Sequence, residues 1–178
     1  MGKRSNFRRR PQDAYDTPPE PVLPLIRHIS PGASYLEPCA GQYDLCDHLG
    51  AHGLTCIAAT DIAPRDGRVH RMDALTITPE DAAQTGADYI ITNPPWSREI
   101  LHPMIELFSD ALPTWLLFDA DWIQTVQSAP FQWRLRRVVC VGRVKWIKGS
   151  KHTGKDNASW YLFDAKGTGP AEIFGRVA

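Results

Sequence analysis

Leu36-Glu37-Pro38-Cys39-Ala40-Gly41-Gln42-Tyr43-Asp44-Leu45 decides how the rest of the chain is read. Ser34 to Glu37 reads as a short strand and Tyr43 to Ala51 as a helix closed by Gly53. The decapeptide is therefore a strand-to-helix turn, with an acidic residue at the strand terminus and small residues at the bend. Glu37 can accept hydrogen bonds from a cationic amine, and Gly41 lets a ligand approach the backbone.

Outward from this turn the pattern repeats. Thr55 to Thr60 is a strand, Val69 to Met72 a candidate strand, and a short helix is expected near Pro79 to Gln84. Ala87 to Thr92 is an isoleucine-rich buried strand and Thr114 to Phe118 another. Between them Arg98 to Asp110 has helical spacing through Ile100, Leu101, Met104, Ile105 and Phe108, with Pro103 a candidate for its first turn. Upstream, Thr17-Pro18-Pro19-Glu20 looks like a helix start running toward Ser30, although Pro21 and Pro24 each remove an amide donor and place the regular part from Pro24. Strands alternating with helices predict an α/β domain, a parallel sheet covered on both faces. The last third differs: Leu135 to Val141 and Ser159 to Phe163 are expected to pair as an antiparallel hairpin across a long loop.

Ligands of open parallel sheets bind beyond the carboxyl ends of the strands. Asp61 ends the second strand, twenty residues after Gly41, where a carboxylate can take both hydroxyls of a ribose. Asp73 follows the third candidate strand and can accept from an adenine amino group. Singly, each such acid is as readily a helix cap or a solvated turn residue; their order and spacing carry the argument.

The sharpest motif is Asn93-Pro94-Pro95-Trp96, directly after the strand Tyr89 to Thr92. Two prolines lock φ and remove two donors, leaving carbonyl oxygens and the Asn93 side-chain oxygen as outward acceptors for an NH2 group. An aromatic in the fourth position can stack on a planar base that has left its helix.

Asn93-Pro94-Pro95-Trp96 resembles the catalytic loop of adenine-N6 DNA methyltransferases, Glu37-Pro38-Cys39-Ala40-Gly41 resembles their S-adenosylmethionine loop, and Tyr15-Asp16-Thr17-Pro18 the segment that often precedes it. The resemblance spans roughly residues 15 to 165. It implies a Rossmann-like methyltransferase fold, mostly parallel and seven-stranded with an antiparallel last strand. It also implies S-adenosylmethionine as cofactor, held by Thr17, Glu37, Pro38, Cys39, Ala40, Gly41, Asp61, Ile62, Asp73, Ala74 and Asn93, and catalysis at Asn93, Pro94, Pro95 and Trp96. The segments Val144-Lys145-Trp146-Ile147 and Asn157 to Phe163 are similar to the tail of small methyltransferases of phages and mobile elements. One departure is Tyr43, where the family usually has a second glycine.

Composition sets the outer limits. With 178 residues, 43% apolar and 22% charged, the chain is expected to form one domain over 17–178, without a separate target-recognition region. Residues 1–16 are expected to be a basic, disordered tail lacking a secretory signal, which predicts a cytoplasmic protein. Cys39, Cys46, Cys56 and Cys140 form no CxxC pair, and Cys46, His48 and His52 lack a fourth ligand, so neither a disulfide framework nor a metal is expected. Formal net charge is zero, but cations gather in the last third. There Lys148, Lys151, His152 and Lys155 are candidate nucleic-acid contacts in a glycine-containing loop. DNA is the expected substrate, with sequence selectivity low or supplied by a partner. The alternatives are an RNA adenine, a protein glutamine, or a non-catalytic module on the same fold.

Overall fold

The computed structural model describes residues 15–149, 151 and 153–176; of the tail expected over 1–16, residues 1–14 lie outside them, as does His152, while Tyr15 and Asp16 lie inside. The elements in chain order are α1 (Val22–Ile26), β1 (Ser34–Glu37), α2 (Asp44–Gly50), β2 (Thr55–Asp61), β3 (His70–Arg71), α3 (Pro79–Gln84), β4 (Tyr89–Thr92), α4 (Arg98–Ala111), β5 (Thr114–Asp119), β6 (Leu135–Arg143), β7 (Asn157–Phe163) and β8 (Glu172–Phe174). Single-turn 310 segments occupy Ala74–Thr76 and Trp122–Gln124, and a longer one Val126–Arg134.

The strands form one sheet in the order β3-β2-β1-β4-β5-β7-β6-β8. β1 to β5 run parallel, and β7 is antiparallel to both β5 and β6. The expected terminal hairpin is therefore present. The sheet has eight strands, however, not seven. β8 pairs parallel with β6 at the edge, so the antiparallel strand is interior and is not the last. Three residues with Ile173 68% exposed carry no alternation that a sequence pattern can register.

Side-chain alternation along the strands sorts the core into two layers. Tyr35, Ile91, Trp115, Leu117 and Trp160 pack with Val22, Leu25, Leu45 and Leu49 of α1 and α2. Their neighbours Leu36, Ile90, Leu116, Phe118 and Tyr161 pack on the other face with Leu101, Met104, Ile105 and Phe108 of α4. Those four α4 residues recur at i, i+3, i+4, i+7, one helical stripe, and all are buried. Burying each contributes about 1.5–3 kcal/mol. Pro103 lies inside α4, which begins at Arg98 and not at the proline; its ring is exposed, where the missing amide hydrogen bond is least costly. α1 is only five residues long, with Pro21 as its N-cap, and the Trp160 indole N–H donates to the Pro21 carbonyl at 2.8 Å. Among the described residues no helix is long and apolar enough to cross a membrane.

β1 has β2 on one side and β4 on the other, so the chain reverses its direction of strand addition there. A crevice opens at such a switch point. Glu37 closes β1 and Asn93 follows β4, which sets the two sequence motifs side by side.

Candidate active site

A cleft of about 490 Å3 lies over this switch point. Thr17, Glu37, Pro38, Cys39, Ala40, Gly41, Asp61, Ile62, Asp73, Ala74 and Asn93 all line it, and Pro95 joins them. Pro94 and Trp96 do not. Tyr15, Asp16, Asp44, Leu45, Ala63, Arg65, Leu75, Ile100 and Met104 complete the wall, and Arg65 among them has no local motif to announce it.

The turn after β1 is held by backbone. Ala40 N–H donates to Thr60 O at 2.9 Å, and Tyr43 N–H donates to Ala40 O at 2.7 Å. Gly41 takes φ +50° and Tyr43 φ +70°. The position where a second glycine is usual thus keeps the left-handed backbone that glycine would supply. The Tyr43 ring is absent from the cleft wall; the Arg68 guanidinium lies 4.0 Å from its centroid. α2 starts at Asp44, with Tyr43 as its N-cap.

Of the five acids on the cleft wall, Glu37, Asp61 and Asp73 are in different states. Glu37 is 1% exposed; its Oε1 accepts the Cys39 N–H at 3.0 Å, and its Oε2 has no hydrogen-bond partner. Burial holds its carboxyl well above the usual range, against the weaker opposing pull of the nearby Thr92 hydroxyl and the Cys39 N–H. Thr92 Oγ1 is itself buried and without a hydrogen-bond partner. Asp61 is satisfied differently: Oδ2 accepts Gly41 N–H at 2.9 Å and Oδ1 accepts Ala63 N–H at 2.7 Å. One lone-pair direction remains on each oxygen. Asp73 caps the 310 turn, accepting Leu75 N–H at 3.0 Å, and is otherwise exposed.

Asn93 is fixed from the N-terminal side. Its Nδ2 donates to Thr17 Oγ1 at 3.1 Å and to the Tyr15 carbonyl at 3.4 Å. A carbonyl only accepts, which decides which end of the carboxamide faces the strap Tyr15 to Thr17. The Trp96 indole N–H donates to Leu117 O at 3.2 Å and approaches Asn93 Oδ1 at 3.4 Å. Trp96 is half-buried and meets Trp146 edge-on, with centroids 5.8 Å apart. Trp146 belongs to the connection between β6 and β7, so this connection abuts the loop after β4. Lys148, Lys151 and Lys155 stand exposed on it, outside the cleft wall.

Asp16 and Arg65 face each other across the turn. Arg65 Nη1 donates to Asp16 Oδ2 at 3.2 Å, and its Nη2 closes the second arm of the fork on Oδ1. The carboxylate raises the guanidinium's affinity for its proton. Among the described residues no three His, Cys, Asp or Glu side chains are grouped as a metal site.

No family model matches the sequence, and no curated protein resembles it at the level of sequence. Solved structures do. A candidate RNA methyltransferase from Pyrococcus horikoshii superimposes with TM-score 0.57 at 15% identity, over 91% of each chain. A candidate methyltransferase from Escherichia coli gives 0.51 at 16%, covering 83% of this chain and 86% of that one. A TehB-like S-adenosylmethionine-dependent methyltransferase from Corynebacterium glutamicum gives 0.50 at 14%, covering 83% and 88%. At these identities the likeness is one of fold: the chain has the Rossmann-like methyltransferase fold.

Proposed function

We propose that this chain transfers a methyl group from S-adenosylmethionine to the exocyclic N6 amine of adenine in DNA. The observation that carries the reading is convergence. Glu37, Asp61, Asp73 and Asn93 come from four separate strand ends and line one cleft whose volume suits a nucleoside-sized ligand. The donor set fits the cofactor group by group. Glu37, with one buried oxygen unpartnered, suits a cationic amine; Asp61, with a lone pair left on each oxygen, suits ribose hydroxyls; Asp73 suits an adenine amino group, between the apolar side chains of Ile62 and Leu75.

When bound, S-adenosylmethionine would supply an electrophilic methyl: the carbon–sulfur bond breaks with its electron pair kept on sulfur as the carbon–nitrogen bond forms, and the methylated nitrogen then releases one proton to solvent. The chain's own task is to orient and polarise the amine. Both Asn93 amide hydrogens are committed to the Tyr15–Thr17 strap, so its Oδ1, which takes one long contact from the Trp96 indole N–H, offers its second lone pair to an incoming N–H. Oδ1 and the Pro94 carbonyl, accepting the two amino hydrogens, favour a tetrahedral nitrogen as it attacks. Pro95 stiffens the loop that holds both acceptors. Trp96 stacks on the extruded base, a contact worth on the order of 1–3 kcal/mol. Lys148, Lys151 and Lys155 take the phosphates.

The test is transfer of labelled methyl to unmethylated single- and double-stranded DNA, with RNA alongside, read as modified nucleosides. N6-methyladenine in DNA that disappears in Asn93→Ala is the expected result. Methylated RNA instead overturns the choice of DNA, and no transfer together with no cofactor binding overturns the enzyme reading.

A further inference from the structure

The hydrogen bond from Asn93 to Tyr15 O, at 3.4 Å, is a long one, and that to Thr17 Oγ1, at 3.1 Å, lies near the upper end of the ordinary range. They hold the carboxamide only if the strap itself is held. Asp16, between the two acceptors, is gripped by the Arg65 fork. Such a planar two-point contact fixes direction as well as distance. Arg65 is in turn seated on the cofactor-type turn: its N–H donates to Gly41 O at 2.9 Å, and Gly41 N–H donates to Asp61 Oδ2 at 2.9 Å. The guanidinium passes so near Gly41 that a Cβ there would stand 2.7 Å from Nη2.

We infer that Arg65 is a positioning residue for Asn93, acting through Asp16 and the Tyr15–Thr17 strap. Without the fork, the strap leaves the amide nitrogen and the Asn93 carboxamide rotates, presenting NH2 where the substrate amine needs an acceptor. One contiguous path, Asp61 to Gly41 to Arg65 to Asp16 to Asn93, then links the turn after β1 to the loop after β4. The catalytic consequence rests on the methyl-transfer reading; the structural one does not.

The experiment uses the 15N-labelled full chain, with the Asn93 side-chain amide pair identified by its loss in Asn93→Ala. In Arg65→Gln the pair is expected to move toward the position of a free carboxamide. There kcat is expected to fall on the order of tenfold while KM for DNA stays within about twofold, because orientation is lost and not affinity. Arg65→Lys keeps the charge without the fork and recovers only part of the rate. The exchange Asp16→Arg with Arg65→Asp restores both the resonance and the rate. Asp16→Asn repeats the test from the strap side should Arg65→Gln fail to fold. An unmoved Asn93 pair in Arg65→Gln and Asp16→Asn, or a rise in KM at unchanged kcat, overturns the inference. If the wild-type chain transfers no methyl group, the activity reading falls while the amide resonance still decides whether Arg65 sets Asn93.

Discussion

The turn after β1 and the connection between β6 and β7 both border the site, and they are built on opposite principles. In the turn, the carboxylate of Asp61 and one oxygen of Glu37 are tied to backbone N–H groups, and Gly41 is hydrogen-bonded through both its N–H and its carbonyl. The connection offers exposed lysines, and its Trp146 meets Trp96 edge-on. On the proposed function, the first would serve as a preorganised receptor for one small ligand and the second as an adaptable surface for a polyanion. Predictions that separate the two regions test whether this division is real.

The largest effect is expected between them, at Asn93. Removing the carboxamide in Asn93→Ala costs the oriented acceptor, and kcat should fall by about 10²–10³, the range for deleting one preorganised polar contact at a reacting centre. S-adenosylhomocysteine affinity, measured by calorimetry, should change far less. A comparable loss in both would place Asn93 with the receptor and blur the division.

Glu37 sharpens it from the cofactor side. Burial has raised its proton affinity, so the free protein holds the carboxyl protonated to higher pH than a solvated glutamate would. Binding a cationic amine requires the ionised form and therefore expels a proton. Affinity should rise with pH until the free carboxyl ionises unaided, and calorimetry in buffers of different ionisation enthalpy should register the released proton. The stability sign is the reverse. A group whose folded-state pKa lies above its unfolded value contributes stability that is lost as pH rises through the folded value. Glu37→Gln should remove that decline in the free protein and lower cofactor affinity by about 100-fold, the loss of a buried charged contact. Equal cofactor affinity in Glu37→Gln would show that the amine is held elsewhere.

The connection is tested by salt. Replacing Lys148, Lys151 and Lys155 with Gln should flatten the slope of log affinity for duplex DNA against log salt by about 2–3, close to one unit per phosphate contact. Cofactor affinity should be untouched. An unchanged slope would leave the connection as an exposed hairpin loop and nothing more.

The same contrast explains what was legible in the sequence. Glu37, Gly41, Asp61, Asp73 and Asn93 could be read because each ends a strand or lies in the turn just after one, and strand ends are set by short local patterns. The two core layers follow from alternation in β1, β4, β5 and β7. The Asp16–Arg65 pair joins residues 49 apart and leaves no local trace, so Arg65 escaped notice. β8 is too short for a period, and the 310 run Val126–Arg134, with Pro130 inside, follows neither the strand nor the α-helix repeat. The aromatic position of Trp96 was legible, but the bond from its indole N–H to Leu117 O was not, because only the folded sheet brings residues 21 apart together.

The smallest effect is expected at Tyr43, where sequence and backbone disagree. Its φ of +70° is costly for any residue with a Cβ, by about 1–2 kcal/mol, and Gly removes that cost. The ring offsets it by packing against the α1–α2 layer and under Arg68. Tyr43→Ala keeps the strained backbone and loses the ring, so it should lower the melting temperature. Tyr43→Gly, which relieves the strain while losing the same ring, should be more stable than the alanine variant by about 1 kcal/mol. Cofactor affinity in Tyr43→Gly should stay within about threefold of wild type, because the ring stands outside the cleft wall and an uninvolved side chain changes little. A tenfold change in that affinity would mean the ring reaches the ligand. The receptor would then extend beyond the backbone-held turn, and the line drawn between the two regions would have to move.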